Sequence, residues 1–178
     1  MKKVITIRDI TLVGLMAATL EAAKTALAFL PNIEIVSLLI IVFTLAFGWK
    51  TLYAVFIFVV LEGMHYSFGT WWIMYLYIWP MLCAITRALR NKKSPFLFSI
   101  VSALFGLFFG MICAIPYVVI GTASGGIRSG LYAGFTWWIA GIPWDIVHCV
   151  GNFITTLVLF KPLCEILERI KKNYGACE

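Results

Sequence analysis

The sequence predicts an all-α integral membrane protein, a single domain (1–178) of six transmembrane helices with both termini in the cytoplasm. Two observations carry that expectation. First, 62% of the 178 residues are hydrophobic and only 12% are charged, more apolar surface than a soluble domain of this size can hide. Second, the 14 lysines and arginines fall at alternate ends of successive apolar runs. Lys2, Lys3 and Arg8 precede the first run, and Lys50 follows the second. Arg87, Arg90, Lys92 and Lys93 lie between the fourth and fifth; Lys161, Arg169, Lys171 and Lys172 follow the sixth. Arg128 alone falls in a loop of the opposite parity and Lys24 alone lies inside a run. Twelve of the fourteen thus share one side, the positive-inside pattern of a polytopic protein. The net charge of +6 is then a cytoplasmic-loop bias toward anionic lipid or an acidic partner surface and requires no nucleic-acid partner.

The spans follow in order. Residues 10–30 form the first, closed by the turn pair Pro31-Asn32. Its start mimics a signal peptide, but Arg8, Asp9, Glu21 and Lys24 interrupt the apolar stretch, so it reads as a helix of the mature chain. The second run, 35–47, falls short of the roughly 20 residues a straight span needs; it is expected to be short, kinked or begun below the outer surface. The third is 51–66. The fourth, 71–89, carries Pro80 as an expected kink. The fifth, 95–120, opens on Pro95, a residue suited to the first helical position, and has Pro116 near its outer end. A polar, glycine-rich loop, 121–134, leads to the sixth, 135–160, and a short basic amphipathic tail. The three outer loops (31–34, 63–70 and 121–134) are too small to be domains, so function is expected within the bundle, at its outer mouth or at its flanks.

Helix one carries a stripe of small residues. Gly14, Ala18, Ala22 and Ala26 repeat every four positions, and Ala17 and Ala23 widen the groove they make. Small residues let helices approach closely in lipid, so the stripe is either a packing face for a sister helix or a docking face for another membrane protein. On the same helix Glu21 and Lys24 stand three apart and can pair; intramembrane charge is costly enough to suggest function, or a pair that holds the helix in its bundle.

The remaining polar groups gather at the outer end. Asn32 and Glu34 sit in the first outer loop; Glu62 and His65 close helix three; Asp145, His148 and Asn152 share one face of helix six. With that helix entering near Phe135, Asp145 would lie roughly 15 Å deep. Around them stand Trp71, Trp72, Tyr75, Tyr77, Trp79, Trp137, Trp138 and Trp144. An interfacial aromatic belt accounts for some of these, Trp71, Trp72, Trp137 and Trp138 first. Aromatic walls with a few convergent polar anchors also describe a ligand pocket, and that is the preferred reading.

Other chemistries find little footing. The five cysteines (Cys83, Cys113, Cys149, Cys164, Cys177) are scattered without CxxC spacing, against a disulfide framework or zinc site. No helix carries two histidines at ligating distance, so no metal site is expected. Neither a nucleophile elbow nor a phosphate-binding glycine loop is present, so the chain reads as a non-enzyme. Without a nucleotide-binding segment, any uphill transport would draw on an ion gradient or on another subunit.

The chain resembles the substrate-binding S component of an energy-coupling-factor (ECF) type ABC transporter. The resemblance spans nearly the whole length. It rests on six helices in some 180 residues, the small-residue helix from Gly14 to Ala26, the Phe29-Leu-Pro-Asn-Ile-Glu34 loop and the short second helix running from Ile35 to its glycine turn at Gly48. It implies high-affinity capture of a vitamin or related micronutrient at a bacterial cell membrane. It also implies a transmembrane coupling protein, docked on Gly14, Ala18, Ala22 and Ala26, and two cytoplasmic ATPases that hydrolyse ATP, with no cofactor bound to this chain. The bundle would topple in the membrane to deliver its cargo. Carried onto this sequence, the expected site is Asn32, Glu34, Glu62, His65, Trp72, Tyr75, Trp144, Asp145, His148 and Asn152. Three acids against one outer arginine favour a neutral or cationic heterocycle, although Arg128 could anchor an acid. The alternative is a standalone ion-coupled secondary transporter of a small organic solute, using Glu21, Lys24 or Asp145 as a proton relay.

Overall fold

A computed structural model describes residues 6–175, with side chains to residue 172; Lys2, Lys3 and Cys177 lie outside the described residues. Among those described the chain is all-helical, without a strand. The order is α1 (Ile7–Ala26), α2 (Val36–Phe47), α3 (Lys50–Tyr66), α4 (Thr70–Ala88), α5 (Pro95–Leu107), α6 (Phe109–Cys113) and α7 (Ile115–Gly175). The first four match the expected runs closely. Thr6 and Asp9 start α1 with a reciprocal capping box, and Pro95 begins α5 behind a Ser94 cap. α4 continues through Pro80 as one helix.

The short α2 is the hub. A helix apolar all round must be buried on all sides, and every residue from Val36 to Thr44 is. It touches α1, α3, α4, α5 and α7. At roughly 1.5 Å per residue its 12 residues cover about 18 Å, less than the helices around it, so it leaves space at one end. Its other end closes at Gly48, whose φ of +63° lies in the left-handed region. At that end Lys50 pairs with Asp9 and Lys93 meets Glu168 at 3.1 Å. The α1 and α3 starts, the α4–α5 turn and the α7 tail therefore share one end of the bundle, which carries the clustered cations.

The expected loop 121–134 is corrected by the structure. Phe108 and Ala114 interrupt the fifth run, but helix continues through 121–124 and resumes at 127, broken only at Gly125 (φ −147°) and Gly126 (φ +79°, ψ 175°). Gly121, Gly130 and Gly134 are there for contact between the arms. A Cβ on Gly130 would stand 2.0 Å from Thr122 Oγ1 and 2.4 Å from the Val118 carbonyl oxygen, so the two arms pack as a tight antiparallel hairpin. From residue 127 to Asp145 the helix rises about 27 Å, so Asp145 lies farther from the turn than an entry at Phe135 implied.

Among the described residues one helical stretch, Phe109–Lys172, is long and apolar enough to cross a membrane; α2 and α5 are apolar but shorter. Large apolar side chains also cover the outside, among them Leu15, Phe56, Ile73, Ile100, Val119, Ile146, Val150 and Val158.

Candidate functional site

The space above the N-terminus of α2 is a cavity of about 810 Å³, within the usual size range for small-molecule sites. It lies at the end of the bundle away from the Lys50–Asp9 contact, where α1 and α3 finish. α4 supplies one wall: Trp71, Tyr75 and Trp79 recur every four residues and stack edge to face at 5.3 Å. Phe109, Trp137 and Trp144 come from α6 and α7. Trp137 is braced by parallel stacking on Tyr117 at 4.0 Å.

Charged groups are held at fixed places on these walls. The Lys24 ammonium bridges α1 to α3 and α4, pairing with the fully buried Glu62 and donating to the Tyr75 hydroxyl at 3.0 Å. Glu34 is a clamp between three segments. Its Oε2 accepts the Ser37 N–H at 2.8 Å, capping α2, and its Oε1 meets His148 Nε2 at 3.1 Å. Burial alone would raise the Glu34 pKa, but His148 and the Ser37 donors outweigh it and hold the carboxyl below its ordinary range. Asp145 Oδ1 accepts the Gly110 N–H at 3.0 Å, a first-turn donor of α6 that has no partner within its own helix.

These approaches depend on bare backbone. A Cβ on Gly106 would lie 2.9 Å from the His148 carbonyl carbon, and one on Gly110 would lie 2.5 Å from Asp145 Oδ2. Gly106 and Gly110 form a GxxxG pair, as do Gly130 and Gly134; the spacing signals close helix contact, and the sequence reading passed over both.

Of the expected site residues, Asn32, Glu34, Glu62, Tyr75, Trp144, Asp145 and His148 line the cavity. Three do not. His65 is half-exposed on the outside of α3, stacked on Tyr66 and 3.2 Å from Glu21. Trp72 turns away, donating its indole N–H to the Val59 carbonyl at 2.8 Å and packing on Phe68. Asn152 is buried apart from the cavity, its amide donating to Ser37 Oγ and the Ser102 carbonyl at 3.3 Å each. The Glu21–Lys24 pair is likewise replaced by Lys24–Glu62 and Glu21–His65, because α1 packs on α3 with Lys24 turned inward. Lys24, Tyr66, Trp71, Trp79 and Trp137 join the lining. The four-residue spacing of Trp71, Tyr75 and Trp79 was the available signal, since it puts them on one helical face.

The stripe on α1 faces outward. Gly14, Ala18, Ala22 and Ala26 are exposed, while Leu12, Val13, Met16, Ala17 and Leu20 face the core; Ala17 therefore packs inward instead of widening the groove. Arg128 is exposed beside the hairpin turn and does not line the cavity. Among the described residues no three His, Cys, Asp or Glu side chains gather as a metal-ligand set. Compared with protein-family models, curated proteins and solved structures, the chain matches none.

Proposed function

We propose that this chain is a six-span membrane protein, with both termini in the cytoplasm, that captures a small vitamin-like molecule as the S component of an ECF-type transporter. One observation carries the reading: the aromatic-walled, charge-anchored cavity opens at the end of the bundle opposite the clustered cations. Under the positive-inside rule that end faces out, where a capture protein needs its site. Support for the bilayer comes from the inversion of the usual surface, with apolar side chains outside and Glu62, Asp145, His148 and Asn152 buried. The exposed small-residue stripe then suits a transmembrane coupling protein, which with two ATPases would supply the energy. This chain would hydrolyse nothing and bind no cofactor.

Native mass spectrometry of the detergent-purified protein tests this, first alone and then co-expressed with a coupling module. A retained small molecule, lost on Asp145→Asn, together with co-purification of the module, supports capture. An empty protein that ignores the module sinks it.

A second reading has one observation in its favour. The Lys24–Glu62 ion pair and the neighbouring Glu21–His65 contact run from the cavity wall to the outside of α3, a route a proton-coupled carrier could use. Uptake into liposomes on a proton gradient without any partner would favour that carrier.

A further inference from the structure

We infer that the cavity selects a planar, neutral-to-cationic amino-heterocycle, one that offers N–H donors to Asp145 and a ring acceptor to Trp79, and that it rejects anionic ligands. The inference rests on the capture reading and names the substrate class of the same site.

The first ground is charge. Among the described residues Lys24 is the sole lysine or arginine on the lining, and its ammonium is already shared between Glu62 and the Tyr75 hydroxyl. Beyond that neutral pair stand two carboxylates, Glu34 and Asp145, against one imidazole, His148. A ligand carboxylate or phosphate would thus enter a wall of net negative charge with no uncommitted guanidinium or ammonium to meet it. Buried like charges repel strongly and are poorly screened. Arg128, the one cation that could have reversed this, stands beside the hairpin turn and off the lining.

The second ground is unmet hydrogen bonding. Asp145 is 6% exposed and Trp79 3%, yet among the described residues Asp145 Oδ2 and Trp79 Nε1 have no hydrogen-bond partner. Both residues line the cavity, and because these two atoms are themselves covered from water, a ligand meets them only when the side chains turn toward it. A buried polar atom left unpaired is costly, so a ligand that supplies one donor and one acceptor at these places is favoured over one that supplies acceptors alone. The third ground is shape. Trp71, Tyr75 and Trp79 present a continuous aromatic wall, with Trp144 from the other side. Flat rings stack on such walls, and a cationic ring gains a further attraction from the indole faces.

Tryptophan fluorescence titration of the detergent-purified full chain tests the inference, using three rings of one shape: 2,4-diaminopteridine, its 6-carboxylate, and the 2,4-dione (lumazine). The diamino compound is expected to bind best, with both the carboxylate and the dione weaker by about tenfold or more. Asp145→Asn puts an amide N–H where the free carboxylate oxygen stood, so it should weaken the diamino ring and strengthen the dione. A misfolded variant cannot produce that reciprocal exchange. Tighter binding of the carboxylate, or an unchanged preference in Asp145→Asn, would overturn the class while capture stands. Failure of all three rings overturns the class as well, and the native mass spectrum then decides separately whether capture survives.

Discussion

Replacing Lys24 by methionine should destabilise the fold severely, for a reason that is visible in its partner. The Glu62 side chain is fully buried, and among the described residues Lys24 alone pairs with its Oε2 and none hydrogen-bonds its Oε1. Methionine keeps most of the apolar stem of lysine, so packing is preserved and the change isolates the charge. Removing one partner of a buried ion pair costs about 3–5 kcal/mol, because the other charge is left uncompensated in a low-dielectric interior. For a chain of this size each kcal/mol moves the melting temperature by roughly 2–4 °C, so the expected drop is roughly 6–20 °C. Thermal unfolding of the detergent-solubilised protein reads it. The internal control is Lys93→Met, which breaks a pair whose side chains are 85% and 66% exposed and should shift the midpoint by no more than about 4 °C. The double variant Lys24→Met/Glu62→Gln removes the stranded charge and should recover most of the loss. Equal shifts for the two single variants, or a double variant no better than Lys24→Met, would refute the assignment of Lys24–Glu62 as the charge pair of the interior.

The other predictions concern glycine, pH and the outer face of α1. Gly110→Ala would place a Cβ 2.5 Å from Asp145 Oδ2, pushing the carboxylate off the Gly110 N–H; ligand affinity should fall by about tenfold or more, while Gly151→Ala, with its neighbours at ordinary contact distance, should bind as the native chain does. Gly126→Ala forces a side chain into φ +79°, ψ 175°, a region nearly exclusive to glycine, and should cost about 1–3 kcal/mol, measurable as a lowered melting temperature. Because the Glu34 pKa is depressed by His148 and Ser37, its contribution to stability is complete above its ordinary value near 4.5 and is lost as pH falls through the lower native value. A pH series of melting temperatures should therefore decline below about pH 4.5, and Glu34→Gln should flatten that decline. If the stripe is the docking face proposed above, Ala22→Leu should abolish co-purification with a coupling module and leave ligand binding intact, since Ala22 is exposed on α1 away from the cavity; retained co-purification, or loss of both, would deny the stripe a docking role.

Periodicity and punctuation made the first four helices legible, because charged or turn residues separate their apolar runs. The hairpin was not legible for the same reason. Gly121, Ser124, Gly125, Gly126 and Gly130 compose a loop by residue type, whereas all but the central two glycines are helical, with small side chains that let the arms meet. The parity of the spans gathered the acids and histidines at one end, and most of the expected site residues do line one cavity. What sequence could not supply was rotation about each helix axis. Glu62 and His65 are one turn apart on α3, yet one faces Lys24 inside and the other Glu21 outside. The choice of partner for Lys24 depended on the same quantity, since Glu21 on its own helix and Glu62 across the interface were both sound electrostatic partners.

The two carboxylates beside His148 also hold the bundle together, and this decides how the site can be probed. Glu34 commits both oxygens to the fold, one to the α2 N-terminus and one to α7 through His148. Asp145 commits only Oδ1, to the half-buried start of α6, and among the described residues Oδ2 has no hydrogen-bond partner. Truncating either to alanine removes a structural hydrogen bond together with a charge, so lost binding in such variants would not separate capture from collapse. Asparagine at 145 behaves differently. Its amide oxygen can still accept the Gly110 N–H, while its NH₂ takes the free position and reverses the hydrogen-bonding sense presented there. Asp145→Asn is therefore the substitution that alters what the cavity asks of a ligand while preserving what the fold asks of residue 145.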